Sequence, residues 1–176
     1  MVFQEIPVFV YGDAVHCSDC SRVHDEMQAV APPGTPAPTF DVSLTLDGAM
    51  IATDAFVASA HDLPGAKFTP LEGARGNWLF DVVRIVEIEP FDSNVRWGPV
   101  CERCHEPRYV TRSGPIRLAD GVEIEPGFSR TAIGFGDTAD FGERPVRLRP
   151  HVLLDRATGR NLKSAGLLGI HLISQP

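Results

Sequence analysis

Cys17-Ser18-Asp19-Cys20 and Cys101-Glu102-Arg103-Cys104 contain every cysteine of this 176-residue chain, and the two stretches stand 84 residues apart. A CxxC spacing puts two thiolates on one tight turn, where both can bind the same tetrahedral ion. Two such turns supply the four sulfurs of a structural zinc site. The expected ligands are therefore Cys17, Cys20, Cys101 and Cys104, with the metal tying the N-terminal arm to the middle of the chain and the rest of the fold hanging from it.

Four rival uses of these residues are weaker. Two disulfides would need an oxidising compartment, but Met1-Val2-Phe3-Gln4-Glu5 has neither the basic start nor the cleavage site of a secretory signal. The expected compartment is the cytoplasm, where thiols stay reduced or metal-bound. A thioredoxin-like redox motif needs one CxxC opening a helix, and no helix signal follows Cys20. A catalytic zinc keeps one position open for water, whereas four thiolates close the shell. His16, His24 and His105 flank the two turns, and any of them could replace a cysteine as ligand. A surface histidine, or one that supports a ligand, is the simpler reading.

Apolar residues make up 43% of the chain and charged residues 22%, a globular balance. The length suits one domain over 1–176, with lobes of approximately 1–96 and 97–176 sharing the zinc site formed by 17–20 and 101–104. Apolar runs such as Leu79-Phe80 with Val82-Val83 are too short to span a membrane. The net charge is −7, and the first 100 residues hold 5 Lys/Arg against 14 Asp/Glu. Such acidity suits solubility, or a basic partner drawn in by charge, and it argues against nucleic acid. Lys67 and Lys163 are the only lysines.

Along the chain, Val2–Tyr11 reads as β structure leading into the first CxxC turn. The proline-rich stretch Ala31-Pro32-Pro33-Gly34-Thr35-Pro36-Ala37-Pro38 reads as a stiff surface linker. Asp41–Leu46 alternates like a strand and ends in an Asp47-Gly48 turn. Thr53 or Asp54 caps a short helix through Ala60, and Leu63-Pro64-Gly65 stops it. A strand over Ala66–Thr69 precedes a long strand over Trp78–Glu89, whose near-continuous apolar character predicts a central position, with Trp78 in the core. Arg108–Thr111 follows the second CxxC as a strand, the surroundings of a zinc ribbon. The segment from Ile133 to Gly142 is glycine-rich without GxGxxG or a P-loop lysine, so it predicts a mobile loop. Its Phe135 and Phe141 belong either in the core or on a partner. Val152–Leu154 leads to Asp155 as cap of a second helix, running to about Lys163.

The units around Asp54 and Asp155 share an order: apolar strand, Asp cap, helix, apolar-x-Gly, strand. The fold class expected is α+β, a mixed or antiparallel sheet with a few short helices. Two pseudo-repeated strand–helix–strand units would be joined by the zinc-ribbon-like four-cysteine site.

The double CxxC pattern, with its capped helix and glycine-ended unit after each turn, resembles the double-CxxCG proteins found as paralogues in myxobacteria. The segments Asp54–Thr69 and Asp155–Ile173 also resemble small immunity proteins of bacterial polymorphic toxin systems. The chain departs from the double-CxxCG pattern in carrying Ser21 and His105 where glycine would ease a left-handed turn. The resemblance implies a protein that binds and neutralises a cognate toxin, without catalysis.

The residues themselves agree with a binding role. HExxH, GxSxG, P-loop and Rossmann fingerprints are all missing, and His61-Asp62, His151 and His171 read as surface or structural. The alternatives are an uncharacterised enzyme and a zinc-ribbon nucleic-acid module built on Arg103, Arg108, Arg112 and Arg117. The second requires that Glu102 and Glu106 leave that arginine face uncancelled. A toxin with a basic surface would meet Asp13, Asp19, Asp25, Glu26, Asp62 and Glu72.

Overall fold

The computed structural model describes residues 4–6, 17–22, 31, 38–45, 48–89, 94–137, 148–168, 170 and 172. Within them the fold is α+β, two sheets and two short helices. Strands β1 (Gln4–Ile6), β2 (Val42–Thr45), β3 (Met50–Thr53), β4 (Ala66–Pro70) and β5 (Asn77–Val82) form the first sheet in the order β1-β2-β3-β5-β4. Only the β1–β2 pair is parallel. The second sheet contains β7 (Val95–Trp97), β8 (Tyr109–Arg112), β9 (Phe128–Asp137) and β10 (Arg149–Leu154), in the order β10-β9-β8-β7. Strand β6 (Ile85–Val86) lies parallel to β9.

The Asp47-Gly48 turn signal is met: Gly48 has φ +87° and its N–H donates to Thr45 O, closing the β2–β3 hairpin. Helix α1 (Asp54–Ala60) follows β3 directly and buries Phe56 and Ala60. Thr53 occupies the N-cap position, but its hydroxyl donates to Asp41 instead of the helix, at 2.8 Å. Asp54 accepts from Trp78 Nε1 at 2.6 Å, which holds the half-buried indole against the core.

Helix α2 (Arg156–Ser164) is capped as the sequence predicts. Asp155 accepts from the N–H groups of Ala157 at 2.8 Å and Thr158 at 3.1 Å. Its second oxygen takes the N–H of Gly127 at 2.8 Å, which ties α2 to the start of β9. Burial pushes the Asp155 carboxyl up, but hydrogen bonds from the Thr158 side chain and from the N–H groups of Gly127, Thr158 and Ala157 outweigh it and hold the pKa down at about 2. Asp155→Ala is expected to cost about 1–2 kcal/mol, from the lost cap and from leaving the Gly127 N–H with only the Thr158 hydroxyl, at 3.1 Å, as acceptor. Because the folded pKa lies below the ordinary 3.8, the stabilisation is complete above pH 4 and fades as pH falls towards 2. Urea midpoints at pH 7 and pH 3 check this, and Asp155→Asn should flatten the difference between them.

One apolar cluster joins the two sheets. Val42, Ala52, Phe56, Ala60, Phe80 and Val82 from the first sheet and α1 meet Phe128, Val152 and Leu162 from the second sheet and α2. Phe80 lies at its centre, with ring centroids 5.2 Å from Phe56, 5.1 Å from Phe68 and 5.3 Å from Phe128. A smaller cluster of Ile88, Val110, Phe135 and Leu148 lies under the second sheet. The cysteines belong to neither and form a cluster of their own. The phenylalanine core buries far more apolar surface than four sulfurs can.

Two local expectations also change. The single strand over Trp78–Glu89 is two strands in two sheets, β5 and β6, broken at Val83-Arg84. There the Val83 N–H donates to Gly65 O while Arg84 O accepts from the Arg130 N–H, carrying the chain from one sheet to the other. Side chains alternate through the break: Val82, Val86 and Ile88 are buried, whereas Val83 and Ile85 are 57% and 51% exposed. The glycine-rich segment is ordered strand as far as Asp137. Gly134 is there for space, since a Cβ would overlap the Leu148 carbonyl oxygen of the neighbouring strand. Phe135 is core, its ring tilted at 40° against that of His151 with centroids 4.7 Å apart, while Phe141 lies outside the described residues. Burial, then the nearby Arg112 charge, drives the His151 pKa down to about 4, consistent with a structural imidazole.

The pseudo-repeat is not confirmed. Both helices follow a strand and precede a left-handed glycine, Gly65 at φ +81° and Gly166 at φ +70°. The first unit continues into β4, but the described residues beyond α2 form no strand. Moreover, β3 is internal to its sheet whereas β10 is an edge. Of the β structure expected over Val2–Tyr11, Gln4–Ile6 is strand and the remainder lies outside the described residues, as does nearly all of the proline-rich stretch.

Candidate metal centre

The second CxxC turn tips the hairpin formed by β7 and β8. Gly98 N–H donates to Tyr109 O, Arg108 N–H to Pro99 O, and Val100 bridges Pro107, so the two strands run on to the cysteines. Gly98 lets the Tyr109 ring pack on its backbone, because a Cβ there would strike the ring.

The two turns are built alike. The Cys17 N–H donates to Arg22 O at 2.9 Å, and the Cys101 N–H donates to Glu106 O at 2.8 Å. The Ser21 N–H returns to Cys17 O at 2.7 Å, and the His105 N–H returns to Cys101 O at 2.9 Å. Ser21 and His105 both adopt the left-handed region, with φ +58° and +59°. These are the positions at which the double-CxxCG pattern places glycine. The turn is therefore the same without it, at a cost of about 1–2 kcal/mol for each side chain held there.

Folding brings all four cysteines together. Cys17 Sγ lies 3.8 Å from Cys101 Sγ and Cys20 Sγ lies 3.6 Å from Cys104 Sγ, with all four sulfurs within 4.8 Å of one another. Those separations are nearly twice a disulfide bond, about 2.05 Å, and the thiols are free. They do match the edge of a tetrahedron of sulfurs about 2.3 Å from a central ion, which is about 3.8 Å. Cys101 is wholly buried, Cys17 and Cys20 nearly so, and Cys104 is half-buried.

The electrostatics favour a cation in the middle. Backbone N–H groups of Cys104 and Arg103 point at the Cys101 sulfur and draw its pKa down to about 6. Burial pushes Cys20 up to about 12 and raises Cys104 as well. Cys101 is thus prepared to carry negative charge while Cys20 and Cys104 resist it. A divalent ion removes that conflict by stabilising all four thiolates at once. The cluster could hold such an ion, and its donor set suits zinc or iron.

Charges brace the turns. Arg22 Nη1 lies 2.7 Å from Glu106 Oε2 and Arg103 Nη1 lies 3.6 Å from Asp19 Oδ1. These cross-turn pairs were not anticipated from the sequence. Their signal is present nonetheless, as opposite charges at equivalent positions of two motifs. His105 is exposed and outside the sulfur cluster, while His16 and His24 fall outside the described residues.

Three of the acidic residues expected to meet a partner are described. Asp19 is engaged by Arg103, Asp62 pairs with His61 at 3.1 Å, and Glu72 is exposed beyond β4. Asp13, Asp25 and Glu26 lie outside the described residues. Of the arginine set, Arg103 is paired and Arg112 is half-buried, leaving Arg108 and Arg117 exposed. Among the described residues no helix is long and apolar enough to cross a membrane. Comparison of the chain with family models, curated proteins and solved structures gives no match.

Proposed function

We propose that this chain is a zinc-stapled binding protein, and specifically an immunity protein that neutralises a cognate toxin by direct binding. The observation that carries the proposal is the closed four-sulfur cluster on two matching turns. Four thiolates fill a tetrahedral shell, which supports a structural ion over one that activates water. Zinc is favoured over iron because it holds this geometry with no redox chemistry for the protein to manage. The toxin-binding part is supported by the resemblance to the double-CxxCG and immunity proteins, and by the acidic balance of the first hundred residues. An acidic surface would speed encounter with a basic toxin and cover its active site through an interface of ordinary size. The paired Arg103 and half-buried Arg112 weigh against the nucleic-acid alternative.

The test is purification of the tagged full chain from its native cells, with metal content and bound species measured together. The expected result is one zinc per chain and one stoichiometric protein that arrests growth when expressed alone and is rescued by this chain. Iron in place of zinc would correct the metal assignment. Recovery of nucleic acid, or of no partner, would overturn the toxin reading and leave the metal reading standing.

A further inference from the structure

Four contacts join the first CxxC turn to the second, and each links residues 84 positions apart: Cys17 to Cys101, Cys20 to Cys104, Arg22 to Glu106, and Asp19 to Arg103. Two turns of the same build therefore face each other about an approximate two-fold axis. At such an axis, equivalent positions meet, and equal charges there would repel. This chain instead places acid opposite base at the third position of the motif and base opposite acid at the sixth. Each turn is complementary to the other and not to itself.

We propose that the Arg22–Glu106 pair, assisted by Asp19–Arg103, is a clamp that positions the first turn on the second and slows loss of the metal. This rests on the zinc reading. Arg22 and Glu106 are also the residues whose carbonyls accept the N–H groups of Cys17 and Cys101. A force between their side chains therefore acts through one short backbone ring on each side of the metal. The Arg22 side chain is 13% exposed although that of Glu106 is 53% exposed, so screening by water and salt is reduced on the arginine side alone. When one sulfur lets go, the clamp keeps it beside the ion at high effective concentration, and rebinding outruns escape. Asp19–Arg103 is longer and more exposed, so its share is smaller.

The experiment follows transfer of zinc from the loaded full chain to an excess of chromophoric chelator. Glu106→Gln and Arg22→Gln should each release zinc about ten-fold faster, the lower end of what the loss of a ligand-supporting contact does to a metal site. Asp19→Asn should change the rate about two-fold. The reversed pair Arg22→Glu with Glu106→Arg should restore slow release, which a residue serving only general packing would not do. Raising salt from about 0.05 to about 0.5 M should speed release from the original chain and affect Glu106→Gln less. The urea midpoint of the phenylalanine core should stay unchanged in all variants. Release at the original rate from Glu106→Gln, or a reversed pair as fast as the single variants, overturns the clamp while leaving the metal reading intact. An original chain that binds no zinc overturns both.

Discussion

Cys101→Ser is expected to purify without metal and to lose order at the joined turns while keeping its main core. Cys101 is the ligand whose loss should matter most, since it is completely buried and its sulfur accepts the N–H groups of Cys104 and Arg103. A serine hydroxyl does not ionise near neutral pH, so the cluster loses a full negative charge as well as a soft donor. Zinc affinity should fall by about three orders of magnitude or more, because metal binding here is coupled to ordering of the turns. How far the disorder spreads depends on where the cysteines sit. Among the described residues, sulfur contacts and two ion pairs hold 17–22 to 101–106, whereas the cluster around Phe56, Phe80 and Phe128 contains no cysteine. Hydrogen exchange should therefore accelerate at the amides of Cys17, Ser21, Cys101 and His105 and stay slow in β5 and β9. Metal retained at one per chain with unchanged protection would show that Cys101 is not a ligand. Collapse of protection throughout the chain would instead show that the rest of the fold depends on the metal.

Gly127→Ala and Gly65→Ala should each destabilise the protein by about 4 kcal/mol or more, near the top of what one residue does. The two glycines form one crossing. Phe128 N–H donates to Pro64 O at 2.7 Å, bringing the end of the α1 turn against the start of β9. A Cβ on Gly65 would overlap the Phe128 carbonyl oxygen, and one on Gly127 would overlap the Pro64 carbonyl oxygen. Both obstacles are backbone, which cannot rotate away as a side chain would. Both residues also have positive φ, +81° and +98°, which adds about 1–2 kcal/mol for any L side chain. Gly121→Ala separates the two causes, since Gly121 has φ +76° but open space around it. It should cost only the conformational share. For a chain of this size, the crossing variants should melt about 10 °C or more below the original and Gly121→Ala only a few degrees below. The Gly65→Ala and Gly127→Ala double variant should cost less than the sum, because the first substitution already parts the segments. Equal melting points for Gly65→Ala and Gly121→Ala would show that the crossing yields more easily than its geometry implies.

What the sequence alone determined is what depends on nearest neighbours. Asp155 caps its helix, Gly48 makes a turn after β2, and each CxxC makes its own. These follow from hydrogen bonds between residues a few positions apart. The four cysteines could be paired on paper because the tetrahedral ion they suit needs four soft donors, and the chain contains only four.

Only tertiary structure decided which segments share a sheet. The stretch Trp78–Glu89 looks continuous because both its strands keep one buried face, and nothing local announces that Val83 and Arg84 turn to different partners, Gly65 and Arg130. The glycines of 133–137 resemble a loop in sequence. Gly134 is glycine because Leu148 of the next strand approaches too closely for a Cβ, a distance set by a segment 14 residues away. The same holds for the centre of the protein. Four phenylalanines spread from Phe56 to Phe128 become one cluster through burial, which is non-directional and leaves no spacing to read. The four-cysteine cluster was legible from its two CxxC motifs, but the phenylalanine core was not.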